Sequence, residues 1–253
     1  RRFAQCSSSS TKKPVVILGF VPTFNIPFPL ISASHGRRCN ACFWSRLLAD
    51  VDFYNLYDDN GSLIQRTRKS DGSYEIYTWN HRGKMTSATA YSPTNQQLWK
   101  EEYFYDPLGR PARTVTTDGS QSPTSKFQLF DGVDLEELLM ELDTDGRITK
   151  TVLHGPSVDS VMAEESISYD NAVATIALSW PLSDHQGTPV VSLAQGASSV
   201  TPTILPVRNA YGEELAGTGV PSTSSFGFQG HGEDSQTGFT NFRARMFSSS
   251  AGR

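Results

Sequence analysis

One short turn motif recurs along this chain and limits its fold more than any other feature of the sequence. It consists of an aromatic or apolar residue, then Asp or Asn, two free positions and Gly. The Asp or Asn side chain can accept hydrogen bonds from amides of the turn, and Gly supplies the positive φ that closes it. Each copy therefore predicts a tight turn between two strands. The predicted turn residues are Asp58 and Gly61, Asn80 and Gly83, Asp106 and Gly109, Asp143 and Gly146, with looser copies at Asp184 and Gly187, and at Asn209 and Gly212.

Further turn signals lie between these copies, so that short strands are bounded on both sides. Asp-Gly pairs occur at Asp71 and at Asp118, and β-prone runs such as residues 74–79 and 101–105 stand next to the turns. A two-stranded hairpin is only marginally stable alone in water, so the hairpins must pair with one another. The sequence predicts an all-β fold in which consecutive antiparallel hairpins stack into one curved sheet.

One segment carries a second pattern that indicates a helix. Leu135, Leu138, Leu139 and Leu142 lie at helical spacing. The alternative is a strand with Leu138, Met140 and Leu142 on one face. We favour the strand because of the family resemblance described below.

The first 50 residues differ from the rest and are predicted to form a separate basic arm. Residues 1–49 contain seven Lys and Arg and no Asp or Glu, whereas the whole chain has a net charge of -4. Such an arm could contact nucleic acid or an anionic membrane, but a solvated arm is favoured and no nucleic-acid partner is expected. An apolar run after Lys12 and Lys13 resembles a signal sequence, although prolines at 22, 27 and 29 argue against a membrane-spanning helix.

All three cysteines also fall in this arm. Cys39 and Cys42 have the spacing of half a zinc site or a redox turn, with His35 and Cys6 as the nearest further ligands. No second pair of cysteines follows. We therefore expect no metal and no other cofactor.

Past this arm, an ordered series of motifs resembles the RHS or YD-repeat family. Residues 180–190, 210–213, 226–230 and 233–247 follow in the order of the family's RHS repeat-associated core, after the YD-like turns. Gln186 stands where the family favours Leu, His231 where it favours Arg, and Ser248 and Ser249 where it favours Asp-Pro. The resemblance divides the chain into the arm (1–50), YD/RHS repeats (51–160) and a repeat-associated core region (161–253).

The resemblance implies a structural role in a toxin. Repeats of this family wind into a hollow shell that encloses a C-terminal toxin cargo of the same polypeptide. The implied partners are that cargo, further YD repeats and secretion-system spike or delivery proteins. The family's autoprotease residues would lie beyond Arg253, so we expect no enzyme activity. The implied location is secreted or cell-surface after synthesis in the cytoplasm, with no transmembrane helix.

The same residues give less support to other functions. The sequence contains none of the common hydrolase, metalloprotease or phosphate-loop motifs, and His154 and His185 are expected to be turn or surface residues rather than general bases. The turn aspartates are explained better as turn formers than as calcium ligands. Arg243 and Arg245, expected on one face of a strand, could contact acidic groups inside the shell or form a structural ion pair. A cell-surface adhesion or carbohydrate-binding scaffold is the alternative function.

Overall fold

The computed structural model describes residues 46–132, 137–156, 159–170, 173–195, 199–220, 224–243 and 245–249. All of them belong to one compact unit, Phe43–Arg253. The expectations for the basic arm, including Cys6, His35, Cys39 and Cys42, lie outside these residues. No helix in the described ranges is long and apolar enough to cross a membrane.

Thirteen strands form a single antiparallel sheet in which each strand pairs with the next one in the chain. The prediction of an all-β fold built from consecutive antiparallel hairpins is confirmed. The first and last strands do not pair with each other, so the sheet is open. Its strands are β1 Phe53–Tyr57, β2 Leu63–Arg68, β3 Tyr74–Trp79, β4 Met85–Tyr91, β5 Gln97–Tyr105, β6 Pro111–Asp118, β7 Thr124–Asp131, β8 Glu137–Leu142, β9 Ile148–His154, β10 Val161–Asp170, β11 Val173–Ser183, β12 Pro189–Gln195 and β13 Val200–Ile204.

A separate two-stranded hairpin follows near the C-terminus, formed by β14 Phe239–Phe242 and β15 Arg245–Ser248. It belongs to a stretch that packs on one face of the large sheet. Residues 224–243 and 245–248 are called the C-terminal segment below.

The six motif turns share one hydrogen-bond pattern. In the turn after β5, the Gly109 N–H donates to the Asp106 carbonyl at 2.9 Å, and the Asp106 carboxylate accepts from the Arg110 N–H at 2.9 Å. The other five turns repeat both bonds, and the glycine has a positive φ in every copy. In the Asn80 and Asn209 copies, the side-chain amide oxygen accepts the second bond in place of a carboxylate. Five of the six turns join paired strands of the sheet, after β1, β3, β5, β8 and β11.

A seventh turn of the same kind has different residues and was not found in the sequence. Between β4 and β5, Ser92 takes the Asp position, and its hydroxyl accepts from the Gln96 N–H at 3.1 Å. Asn95 takes the glycine position with φ 64° and donates to the Ser92 carbonyl. Asn adopts a positive φ more readily than most residues, which explains the substitution.

The residue before such turns lies at an irregularity in the strand pairing. The register shifts by one residue at Tyr57, Trp79, Tyr91, Tyr105 and Leu142, each of which ends its strand. A bulge of this kind adds local twist and bends the strand. The aromatic that opens the motif is thus placed at a bend.

The prediction of a strand in this segment is confirmed over residues 137–142, but the placement of Leu138, Met140 and Leu142 on one face is wrong. A bulge pairs Leu138 with Phe130 on the face that the C-terminal segment covers, and Met140 with Leu129 on the opposite face. Glu137–Leu142 forms β8 and pairs with β7 and β9. Asp134, Leu135 and Glu136 lie outside the described residues. Pairing with two neighbouring strands outweighs the helical spacing of the leucines, because local periodicity is a weak preference beside tertiary contacts.

The C-terminal segment covers one face of the sheet, and the register identifies it. Tyr77 pairs with Ala88, Ala88 with Glu101, and Glu101 with Thr116, so these four side chains lie in a row on one face. Tyr77 and Ala88 are almost completely buried. Phe239 of the C-terminal segment packs on them with Met85 and Tyr103, and forms the first core cluster.

Candidate functional site: a polar cavity under the C-terminal segment

A cavity of about 120 Å³ separates the C-terminal segment from the covered face of the sheet. The sheet contributes Tyr103, Lys126 and Glu141 to its walls, and the segment contributes Asp234 and Arg243. Apolar clusters flank it. Phe239 packs on one side, and Phe226 packs with Leu138, Val152 and Val161 on the other.

A buried carboxyl lies next to two of the lining residues: Glu101 on β5, which is 5% exposed. One carboxylate oxygen lies 2.7 Å from the Tyr103 hydroxyl, and the other accepts from the Thr116 hydroxyl at 2.9 Å. The Tyr103 hydroxyl is also 3.0 Å from Oδ2 of Asp234. A tyrosine hydroxyl on the sheet therefore joins a carboxyl of the sheet to a carboxyl of the segment.

Burial and neighbouring negative charges raise the pKa values of Glu101 and of the two tyrosines that follow it on β5. Burial, and then the negative charge of Asp234, raise the pKa of Glu101 to about 7. The same two causes raise the pKa of Tyr105 to about 12, and the pKa of Tyr103 is raised further still. The tyrosines stay neutral at physiological pH, whereas Glu101 titrates near it.

Asp234 also shapes the backbone of the segment. Its other oxygen, Oδ1, accepts from the Gln236 N–H at 3.0 Å, and from the N–H and hydroxyl of Thr237 at 2.8 and 2.9 Å. The Gly238 N–H closes the turn on the Asp234 carbonyl. The carboxyl that meets Tyr103 is thus held in place by its own turn.

A second polar contact joins the segment to the sheet through Arg243. Its guanidinium donates to Asp159 at 2.5 Å, and its carbonyl accepts from the Lys84 ammonium. The expectation that Arg243 and Arg245 share one strand is wrong: Arg243 lies in the turn after β14, with φ 52°, whereas Arg245 opens β15 and is exposed. A structural ion pair is the role that the contacts of Arg243 support.

The motif residues do not gather at this cavity. They lie in turns at the ends of the strands, where their side chains cap backbone amides. His185 lies exposed in the turn after β11. His154 ends β9, lines the cavity, stacks edge-on against Phe226 and has its Nε2 2.8 Å from the Leu138 carbonyl. Within the described ranges, no cluster of three or more His, Cys, Asp or Glu side chains is placed to hold a metal ion.

Several buried carboxyls of the sheet were missed by sequence reasoning. Glu101, Glu141 and Glu164 are 5%, 6% and 3% exposed, and Lys150 is 8% exposed. Lys150 donates to the Ser225 hydroxyl at 2.5 Å and so also ties the segment to the sheet. A signal was present in the alternation of Glu101 with Tyr103 and Tyr105, which places the glutamate on the same face as two aromatics.

The fold defines a class of protein: a single open sheet of β-hairpins in chain order, with a C-terminal segment packed on one face. No family model and no curated protein matches the sequence. Solved structures do. The Tc holotoxin pore of Photorhabdus luminescens matches at 13% identity over 77% of this chain and 12% of that chain, with a TM-score of 0.31.

Two structures of a TcdB2-TccC3 complex also match. The form without its hypervariable C-terminal region is 11% identical over 79% of this chain and 15% of that chain, with a TM-score of 0.30. The TcdB2-TccC3-TEV form is 15% identical over 83% of this chain and 13% of that chain, with a TM-score of 0.32. The chain thus spans 12% to 15% of the length of these proteins.

Proposed function

We propose that this chain is a wall segment of an RHS-type toxin shell that encloses a C-terminal toxin cargo of the same polypeptide. Its role is structural rather than catalytic. The partners are the cargo, further YD repeats that extend the sheet, and secretion-system spike or delivery proteins that bring the particle to its target.

The observation that carries the proposal is the strand order. All thirteen strands follow one another without a crossover, and the sheet does not close between β1 and β13. The outer edge of β1 is partly paired by the Asn55 N–H with the Leu48 carbonyl, and that of β13 by the Val220 N–H with the Ile204 carbonyl. An open edge presents unpaired backbone groups, which proteins protect by pairing or covering them. Further hairpins of the same kind can continue such a sheet by the same hydrogen bonds, which is what a long wall requires. The series of family-like motifs in residues 180–247 supports the same role.

The proposal can be tested on the protein expressed from its complete gene. Electron microscopy is expected to show a hollow closed particle, and limited proteolysis is expected to leave the cargo uncut. A Gly109→Val variant places a branched side chain at φ 86° and should open the wall, so that the cargo becomes sensitive to protease. Val173→Ala changes an exposed residue and serves as the control.

Two results would overturn the proposal. One is an extended particle without an interior. The other is a cargo that is cleaved equally in the parent, the Gly109 variant and the control. An extended particle that binds cells or glycans would favour the adhesion scaffold instead.

A further inference from the structure

One of the contacts that hold the C-terminal segment on the sheet has a geometry that requires a shared proton. The Tyr103 hydroxyl oxygen lies 2.7 Å from Oε2 of Glu101 and 3.0 Å from Oδ2 of Asp234. A hydroxyl has a single hydrogen and can donate to only one of these oxygens. The second contact is a hydrogen bond only if the other carboxyl is protonated and donates to the hydroxyl oxygen.

We propose that Glu101, Tyr103 and Asp234 form a proton-operated latch, which holds the C-terminal segment on the sheet when one carboxyl carries a proton and loosens it when both are ionised. The latch is independent of what the sheet encloses, so it stands apart from the proposed shell function.

The two carboxyl oxygens that face Tyr103 have few other hydrogen-bond donors nearby. The second oxygen of Glu101 is occupied by Thr116, and the second oxygen of Asp234 by the amides of its own turn. In the ionised state, one carboxylate oxygen would face the lone pairs of the tyrosine at about 3 Å in a buried site. An unpaired buried charge of this kind is costly.

Within the described residues, no Lys, Arg or His side chain forms an ion pair with Glu101 or Asp234. In the register, Glu101 lies between Ala88 on β4 and Thr116 on β6, and neither can ionise. Lys126 on β7 lies 3.7 Å from Glu141 on β8, and Glu233 of the segment pairs with Arg208. Other ionisable groups on this side have partners of their own: Tyr77 and Arg66 bond to Glu75, and Tyr105 bonds to the Met85 carbonyl. Arg243 pairs with Asp159, which lies 3.9 Å from His231, and Glu137 and His154 line the cavity beside Phe226.

The electrostatics agree with the geometry and set the pH range. Burial and then Asp234 raise the pKa of Glu101 from 4.5 to about 7. A carboxyl whose pKa is raised in the docked state binds more protons there than in the undocked state. Docking is therefore strongest below pH 4.5, weakens as the pH rises towards 7, and changes little above that.

Hydrogen exchange on the full chain tests the latch through amides that stay bonded only while the segment is docked. The Glu233 N–H donates to Ser225, the Asp234 N–H to Phe239 and the Asn241 N–H to Gly232. After correction for the intrinsic exchange rate, their protection is expected to fall about 50-fold between pH 5 and pH 8. Amides that join β10 to β11 near Ser168 and Thr175, in the exposed part of that hairpin, are expected to change little.

Two matched variants separate the latch from general effects of pH. Glu101→Gln puts a neutral amide in the same place, so the fall in protection should shrink to less than about 3-fold. Glu102→Gln makes the same chemical change one residue along β5, on the opposite face, where the side chain pairs with Lys100. This control should keep the full response of the parent.

The latch is overturned if the protection of the parent is constant with pH, or if Glu101→Gln keeps the parent's response. Carboxyl NMR of the parent gives a second measurement that needs no variant. The Glu101 resonance is expected to titrate with a midpoint near 7, and a midpoint near 4.5 would also end the proposal.

Discussion

The two halves of the large sheet are built from the same kind of hairpin, yet one of them is buried under a second layer and the other is largely exposed. In β3–β9, called the covered region, the C-terminal segment buries Tyr77, Met85, Tyr103 and Leu138. In β11–β13, called the exposed region, residues 173–177 are exposed at five consecutive positions. Because side chains alternate between faces along a strand, both faces of β11 are open there.

The two regions show that turn motifs determine where strands form, whereas burial of one face determines how stable they are. Motif turns close hairpins in both regions, after β3 and β5 and again after β11. Apolar residues occur in both, but Ile176 is 60% exposed, whereas Met85 is fully buried. Hairpins gain independent stability only when a face packs on something else. We therefore expect the covered region to unfold only when the whole fold unfolds, whereas the exposed region opens locally.

The largest expected effect comes from removing the covering side chain. Phe239→Ala deletes a ring that is 3% exposed and lies 5.2 Å from Tyr77, measured between ring centroids. It should lower the free energy of unfolding by about 3 kcal/mol, as loss of a buried aromatic does. Val173→Ala in the exposed region shortens an exposed side chain and should change the free energy of unfolding by less than about 0.5 kcal/mol. Urea denaturation measures both, and similar shifts would remove the distinction between the regions.

An intermediate effect is expected from equal backbone strain placed in each region. Gly83 has φ 72° and Gly187 has φ 84°, and an added Cβ meets ordinary or open space at both. Alanine at either position should cost about 1 kcal/mol because of the left-handed conformation. Gly83→Ala should lower the urea midpoint, whereas Gly187→Ala should only speed hydrogen exchange in β11 and β12. Equal midpoint shifts would show that the two regions unfold as one unit.

The smallest effect on stability is expected at two aspartates whose carboxylates cap turns. Asp106 carries an additional ion pair, 2.7 Å from the Arg110 guanidinium, whereas the side chain of Asp184 only caps its turn. Asp106→Asn keeps the cap, as Asn80 does, but should cost about 0.5 kcal/mol at pH 7 through the lost pair. Asp184→Asn should be neutral.

The cost of Asp106→Asn should also depend on pH. Partial burial opposes ionisation, but the hydrogen bonds and charge of Arg110 outweigh it and lower the pKa of Asp106. A lowered pKa stabilises the fold above the ordinary value of 3.8, and this stabilisation is lost as the pH falls through the folded-state pKa. Thermal melts of parent and variant should therefore converge in acid, and a difference that persists there would contradict the ion-pair explanation.

The fold could be predicted from the sequence because its determinants are local. An Asp or Asn and a Gly three residues later contain the whole hydrogen-bond pattern of a turn, so the turn positions were found without knowing the neighbours. The Ser92 turn was not recognised in the sequence because Ser92 replaces the Asp as hydrogen-bond acceptor and Asn95 replaces the Gly at the positive φ. At β8, the leucine spacing indicated a helix, and only the pairing with β7 and β9 decides for a strand.

The candidate site could not be predicted, because its contacts join distant parts of the chain. Nothing near Glu101 in the sequence indicates that Asp234 lies over it, and a glutamate in a strand is ordinarily expected on the solvent side. Arg243 was singled out, but its partner Asp159 was not, and its strand placement was wrong because a turn separates β14 from β15.

By itself, the amino-acid sequence determined an open succession of hairpins with known turn positions, since each turn is closed by residues no more than four positions apart. The tertiary structure alone decided which face is covered, which carboxyls are buried and where a proton is shared. Those properties depend on contacts between β5 and a segment more than a hundred residues later, such as Tyr103 with Asp234. Local hydrogen bonding specifies a turn, whereas burial and the pKa values that follow from it depend on what packs above the sheet.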